Sequence, residues 1–146
     1  MSRVSIEFPE QTIFATQIVI NQTHINLGNH VGNSQYVELC NEASLRFFED
    51  RGVAQYTVGE QMLLNNEFAV QIKSETRCSD RLNIELSVDN FHRFGCDFIF
   101  RLSQYKPSEE KHGQVVALAK FSFLCFDYQQ AKIVQAGPLF NFFFNA

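Results

Sequence analysis

The sequence predicts an α+β fold, with one long helix wrapped by a curved antiparallel sheet of about five strands. Three observations predict it. Apolar residues recur at helical spacing in a single long stretch, from Asn33 to Gly52. Apolar and polar residues alternate with a period of two from residue 66 onward. No repeat, low-complexity segment or linker interrupts the 146 residues, so residues 1–146 read as one domain.

Taken in order, residues 12–21, "TIFATQIVIN", are rich in β-branched and aromatic types and read as a strand, with Pro9 marking its entry or a sheet edge. A polar loop, residues 22–32, follows. Tyr36, Cys40, Ala43 and Phe47 then fall on one helical face, widened by Val37, Leu39 and Phe48. Asn33 or Ser34 suits its N-cap and Gly52 its C-terminal stop. A helix over these residues would be roughly 27 Å long at the standard rise. Residues 54–62 read as a second, short helix. "EFAVQIKSE" opens the strands. Leu82, Ile84, Leu86 and Val88 form one face of the next. Phe94, Cys96, Phe98, Phe100 and Leu102 repeat the alternation, and Ala117, Ala119, Phe121, Phe123 and Cys125 do so again. "KPSEEKHG", residues 106–113, is a polar hairpin connection, and the apolar tail "PLFNFFFNA" is expected to dock on the core or on another subunit.

Composition removes several function classes. The net charge of −4 leaves no broad basic field, which disfavours nucleic-acid binding. No long apolar run predicts a membrane span, and the first residues lack an apolar export core, so a cytoplasmic location is expected. Cys40, Cys78, Cys96 and Cys125 are widely spaced, which argues against a zinc site and for reduced thiols, with no metal or cofactor called for. Cys40 lies on the apolar stripe and is a poor nucleophile. His92 and His112 read as ordinary surface or strand residues.

The informative stretch is "HINLGNHVGNSQY", residues 24–36, where a loop rich in Asn, Gly and His runs straight into the long helix. It resembles the signature D-x-D-x-x-G-H-V-N-N-x-x-Y of the hotdog-fold thioesterases, specifically the 4-hydroxybenzoyl-CoA thioesterase-like group. His30, Val31, Asn33 and Tyr36 fall on that signature; Ala43, Leu45, Phe47 and Gly52 continue the likeness along the helix. The strands align in order after it. This chain departs at four places: His24 and Asn26 stand where the signature has its two Asp, Asn29 stands at its Gly, and Gly32 at its first Asn.

The resemblance implies hydrolysis of an acyl thioester, carried by CoA or acyl carrier protein, in a homodimer or dimer of dimers. The chemistry fits the residues. A thioester carbonyl gains negative charge in the transition state, and a helix N-terminus offers free N–H groups and the positive end of a dipole. Gly32 and Asn33 would supply that junction, and Asn26 would orient water or donate to the carbonyl, since a carboxamide cannot be a base. His30 is the candidate base, against a purely structural loop histidine. Glu38 is the nearer helix carboxylate; Glu42, roughly 13 Å from Asn33 along the axis, suits a structural contact at a subunit interface better. Glu67 is a carboxylate that a partner subunit would bring. Tyr36 is a candidate substrate contact, and Lys73, Arg77, Arg81 and Arg93 would gather at the strand turns to hold phosphates. Two other readings stand beside hydrolysis: an acyl-thioester-binding protein without catalysis, favoured by Asn26, and a hydroxyacyl-thioester dehydratase or hydratase, left open by His30.

Overall fold

The computed structural model describes residues 4–107, 113–137 and 139–144. The element order is β1 (Phe14–Val19), a 3-10 turn (Gln22–His24), α1 (Asn33–Asp50), β2 (Thr57–Val58), β3 (Gln61–Ile72), β4 (Arg81–His92), β5 (Gly95–Gln104), β6 (Val115–Asp127), β7 (Lys132–Ile133) and α2 (Leu139–Phe144). All neighbouring strands are antiparallel, in the order β1-β4-β5-β6-β3-β2, with β7 on the end of β6. This is the predicted α+β arrangement, a hotdog fold: five long strands wrap one long helix.

Period-two alternation decides which face of the sheet meets α1. Leu82, Ile84, Leu86 and Val88 of β4, Cys96, Phe98, Phe100 and Leu102 of β5, and Ala117, Ala119, Phe121, Phe123 and Cys125 of β6 are all buried. The predicted helix face meets them, with Tyr36, Leu39, Cys40, Ala43, Phe47 and Phe48 buried. Phe47 is the centre of the packing. Its ring lies 5.7 Å from Phe14, 5.3 Å from Phe48, 6.4 Å from Phe98 and 6.0 Å from Phe143, mostly edge to face. Such contacts add to simple burial because a ring's positive edge meets a negative face.

The helix ends differ from each other in chemistry. Gly32, not Asn33 or Ser34, is the N-cap: it is extended (φ −72°, ψ 155°) and has no side chain to bond the first turn. Its own amide donates to the His24 carbonyl at 3.2 Å, which fixes it outside the helix. At the other end Gly52 is the expected stop, with φ +69°. Gly52 N–H donates to the Glu49 carbonyl and Val53 N–H to that of Phe48, the paired bonds of a Schellman ending.

One expectation changes. Residues 54–62 form no helix. Thr57 and Val58 are β-branched and pair with Met62 and Gln61 across a two-residue turn, where Gly59 takes φ +61°. Within the apolar tail Leu139–Phe144 form α2, which docks on this chain's core through Leu139 and Phe143, one of the two placements expected. Arg51 fastens it: the guanidinium donates to the carbonyls of Phe142 (2.5 Å) and Phe143 (3.2 Å) and stacks over the Phe47 ring at 5.0 Å. It thereby serves the end of α2 where carbonyls lack partners. His112 and most of the 106–113 connection lie outside the described residues.

Burial holds the Cys40 thiol far above the ordinary range and raises Cys96 and Cys125 as well. An unfolded chain loses these protons at ordinary alkaline pH while the folded chain keeps them, so the unfolded state binds fewer protons there. Stability is expected to fall as pH rises through about 8.5, the reference thiol value; urea midpoints at pH 7 and pH 9.5 measure it. In the folded protein, alkylation followed by mass spectrometry should label Cys78, the one thiol with partial exposure, well before the other three. Arg51→Ala should lower stability by about 2 kcal/mol, the scale for hydrogen bonds to a charged group. Phe47→Ala should cost about 3–5 kcal/mol.

Candidate active site

The loop between β1 and α1 is folded tightly before the helix begins. Ile25 and Val31 pair across it, and Asn26 N–H donates to the His30 carbonyl at 3.0 Å. Asn26 Oδ1 accepts from Gly28 N–H at 2.9 Å, the side-chain turn that Asn forms readily. Asn29 takes φ +64° at the tip, which Asn tolerates better than most residues. Leu27 projects fully into solvent. The loop is tied to the β3–β4 connection, since Val31 N–H donates to the Thr76 carbonyl at 2.8 Å. Tyr36 hydroxyl reaches Thr76 Oγ1 at 3.4 Å, and Gln22 Nε2 reaches Cys78 Sγ at 3.4 Å.

This folding brings Asn26, His30, Gly32 and Asn33 together. A Cβ placed on Gly32 would lie 3.6 Å from Asn26 Cβ and 4.0 Å from Asn26 Nδ2. Since Oδ1 is held by the Gly28 amide, the Asn26 NH₂ group is the part that faces the helix N-terminus. The site therefore presents a donor there. The N–H groups of Asn33 and Ser34, the first two helical residues, have no acceptor among the described residues, whereas Gln35 N–H turns back to the Gly32 carbonyl. His30 is half-buried on the same loop, where its carbonyl accepts from Asn26 N–H. Its Nδ1 lies 3.3 Å from the Val31 carbonyl oxygen, and in the Nδ1–H tautomer it donates there and leaves Nε2 bare. Nε2 is 3.0 Å from where a Cβ on Gly28 would stand, so Gly28 leaves the ring its place.

Other candidates go elsewhere. Tyr36 is 1% exposed and supports the loop from beneath instead of facing a ligand. Glu38 is exposed, in an open groove along α1 that begins at Ser34 in the first turn and runs past Gln35 to Glu42 and Leu45; Asn26 and His30 do not line it. Glu42 pairs within the chain with Arg46 at 3.3 Å, and Arg46 donates to Thr16 Oγ1 and the Gln17 carbonyl, fastening the helix to β1. His24 Nδ1 accepts from Asn21 N–H at 3.1 Å, closing the 3-10 turn. Lys73, Arg77 and Arg81 are exposed on or beside the connection that holds the loop; the Arg77 guanidinium pairs with Glu75 at 3.4 Å, and Arg81 lies over Tyr105 at 5.5 Å. Arg93 is at the other end of β4, roughly 37 Å away along a strand of this length, with its guanidinium over Phe94. It cannot join the other three, because the 12-residue length of β4 separates them. Glu67 lies on β3 beside an irregularity between Asn65 and Glu67 that Asn65 Nδ2 bridges, donating to the Glu67 and Ser122 carbonyls.

Thr76 was not among the sequence candidates. It is fully buried and joins loop, helix and β3–β4 connection through both its carbonyl and its hydroxyl. A Thr between Glu75 and Arg77 carries no apolar period to flag it. Among the described residues no group of His, Cys, Asp and Glu is arranged to hold a metal ion, and no helix is long and apolar enough to cross a membrane.

Solved structures resemble this arrangement. A 1,4-dihydroxy-2-naphthoyl-CoA thioesterase from Synechocystis, Slr0204, superposes with a TM-score of 0.76 at 16% identity, covering 90% of this chain and 96% of its own. YbaW, a probable thioesterase from Escherichia coli, does so with a TM-score of 0.75 at 22% identity, covering 88% and 94%. At these identities the likeness shows the fold. No curated protein matches the sequence. The thioesterase-like superfamily profile matches residues 20–139, which takes in the loop, α1 and all the long strands but β1, and the chain belongs to that superfamily.

Proposed function

We propose that this chain hydrolyses an acyl thioester of CoA or acyl carrier protein at the N-terminus of α1, in a site completed by a second copy. The observation that carries the proposal is the set of donors at one point: the unpaired amides of Asn33 and Ser34 with the Asn26 NH₂ group beside them. Three N–H groups fixed by the fold need no reorganisation to receive a developing oxyanion, which is where such donors contribute most. Gly32 keeps the approach open, because nothing projects from it.

The step balances as follows. Water oxygen bonds to the thioester carbon as its proton passes to His30 Nε2, and the carbonyl oxygen becomes an oxyanion on the amides. Collapse breaks the C–S bond, and the imidazolium returns the proton to the leaving sulfur, giving free acid and thiol. To Lys73, Arg77 and Arg81, exposed on or beside the β3–β4 connection, we assign the binding of the thiol carrier's phosphates. A second copy is called for by β3. Beyond Met62 its outer edge has no strand partner among the described residues, and Leu64, Phe68 and Ile72 are exposed along it. Open apolar edges are normally paired or covered, and pairing here would bring the partner's Glu67 region toward the site.

Hydrolysis is tested with a panel of acyl-CoA esters and a thiol reagent. His30→Ala should lower kcat about 10²-fold or more. Asn26→Ala should raise the barrier by about 2–4 kcal/mol, as for loss of one oxyanion donor. Asn26→Asp should be equally slow, because its second oxygen would replace the NH₂ group and accept from the amides that the substrate needs. An Asp variant as fast as the parent would instead make this position a base. Gly32→Ala should fold with an unchanged melting temperature, since its φ suits any residue and its methyl meets only ordinary contacts, yet lose kcat/KM by blocking the approach. Acyl-CoA binding without thiol release in the parent would favour the non-catalytic reading; enoyl-thioester absorbance would favour the dehydratase one.

A further inference from the structure

Residues 4–13, before β1, lie apart from the loop and helix that form the candidate site. Pro9 has no N–H and a fixed φ, so these residues cannot join a ladder as an ordinary central strand. They cross the outer face of the sheet instead, held mainly by side chains. Ile13 N–H donates to the Leu86 carbonyl at 2.9 Å, on β4. Thr12 Oγ1 donates to Glu85 Oε1 at 3.2 Å, and Ser87 Oγ donates to the Gln11 carbonyl. Phe8 lies under the Arg101 guanidinium of β5 at 4.3 Å. Val4, Ser5 and Ile6 then border a shallow groove with Glu67, Phe68 and Ala69 of β3 and Lys120 and Ser122 of β6.

The strap covers what would otherwise be an adhesive surface. Ile99, which points away from α1, is 2% exposed, and Ile6 is 6% exposed. The Arg101–Glu85 pair, bonded twice at 2.7 and 2.9 Å, keeps only 23% and 13% of its side-chain surface open. An uncovered face of this kind would present an apolar centre ringed by polar groups, the usual form of a protein–protein contact.

We infer that residues 4–13 are a built-in cover of the outer face, which prevents two sheets from stacking back to back and limits assembly to pairing through the β3 edge. The inference rests on the edge-paired arrangement proposed above. It distinguishes a dimer from a dimer of dimers built through the outer face.

The test compares the full chain with two full-length variants, Ile6→Ser and Ile6→Ser/Phe8→Ala, by light scattering, binding of an apolar-surface dye and thioester hydrolysis. Far-UV circular dichroism and the thermal transition confirm that each is folded. The full chain should run as a dimer and bind little dye. The loosened strap should double the apparent mass as concentration rises and bind several-fold more dye, with turnover per subunit unchanged. Variants that stay dimeric and bind no more dye overturn the inference, as does a full chain already tetrameric through the outer face. If the double variant does not fold, the single variant decides by the same criteria. A monomeric full chain would sink the two-subunit site, while the cover would still be judged by whether the variants self-associate.

Discussion

Everything in this structure hangs on a helix with one wide apolar stripe that has to be dry on nearly every side. Seven residues of α1 are buried, and a flat two-layer contact would leave part of that stripe wet. The sheet curls round it, and the inner faces of β4, β5 and β6 close on Phe47 and Phe48. The last gap, at the C-terminal end of α1, is filled by α2, whose own carbonyls are met by Arg51. The unusual load of 16 Phe thus goes largely into one enclosure.

Enclosing the helix also fixes the chemistry. A helix held this firmly has an N-terminus that cannot drift, and its cap is a residue with no side chain. Gly32 leaves the first amides unsatisfied, at a cost that Ser, Thr, Asp or Asn would have removed. Those unsatisfied amides are the groups that the proposed site would offer to a thioester carbonyl. The Thr76 contacts to Val31 and Tyr36 hold the loop in register with the helix, so Asn26 and His30 arrive at the same point from a short, tightly bonded turn. Functional loops on rigid supports work this way.

The two faces of the sheet meet different demands. The inner face is satisfied by the chain's own helix. The outer face is crossed by residues 4–13, which supply Ile6 and Phe8 where water would otherwise meet Ile99 and the Arg101–Glu85 pair. The β3 edge, with Leu64, Phe68 and Ile72, is left open beyond Met62 among the described residues, and it is the edge to which the proposed pairing is assigned.

Periodicity in the sequence determined the helix from Asn33, its stop at Gly52, the inward residues of β4 to β6 and the α+β class. Each follows from local geometry, 3.6 or two residues per repeat, applied to burial. The family likeness of the loop pointed to Asn26, His30, Gly32 and Asn33, and folding brings those four together. Tertiary structure decided the rest. Thr57–Val58 became strand because Gly59 let them pair with β3. Tyr36 became support, and Glu38 came to line a groove that Asn26 and His30 do not, because the direction a helical side chain takes depends on how the whole helix is turned in its sheet. Arg93 left the cation group because strand length, not sequence adjacency to a turn, sets distance. Thr76 and the strap over Ile99 had no signal at all: their bonds reach across 40 to 76 residues, and a linear pattern carries only what neighbours in the chain can tell one another.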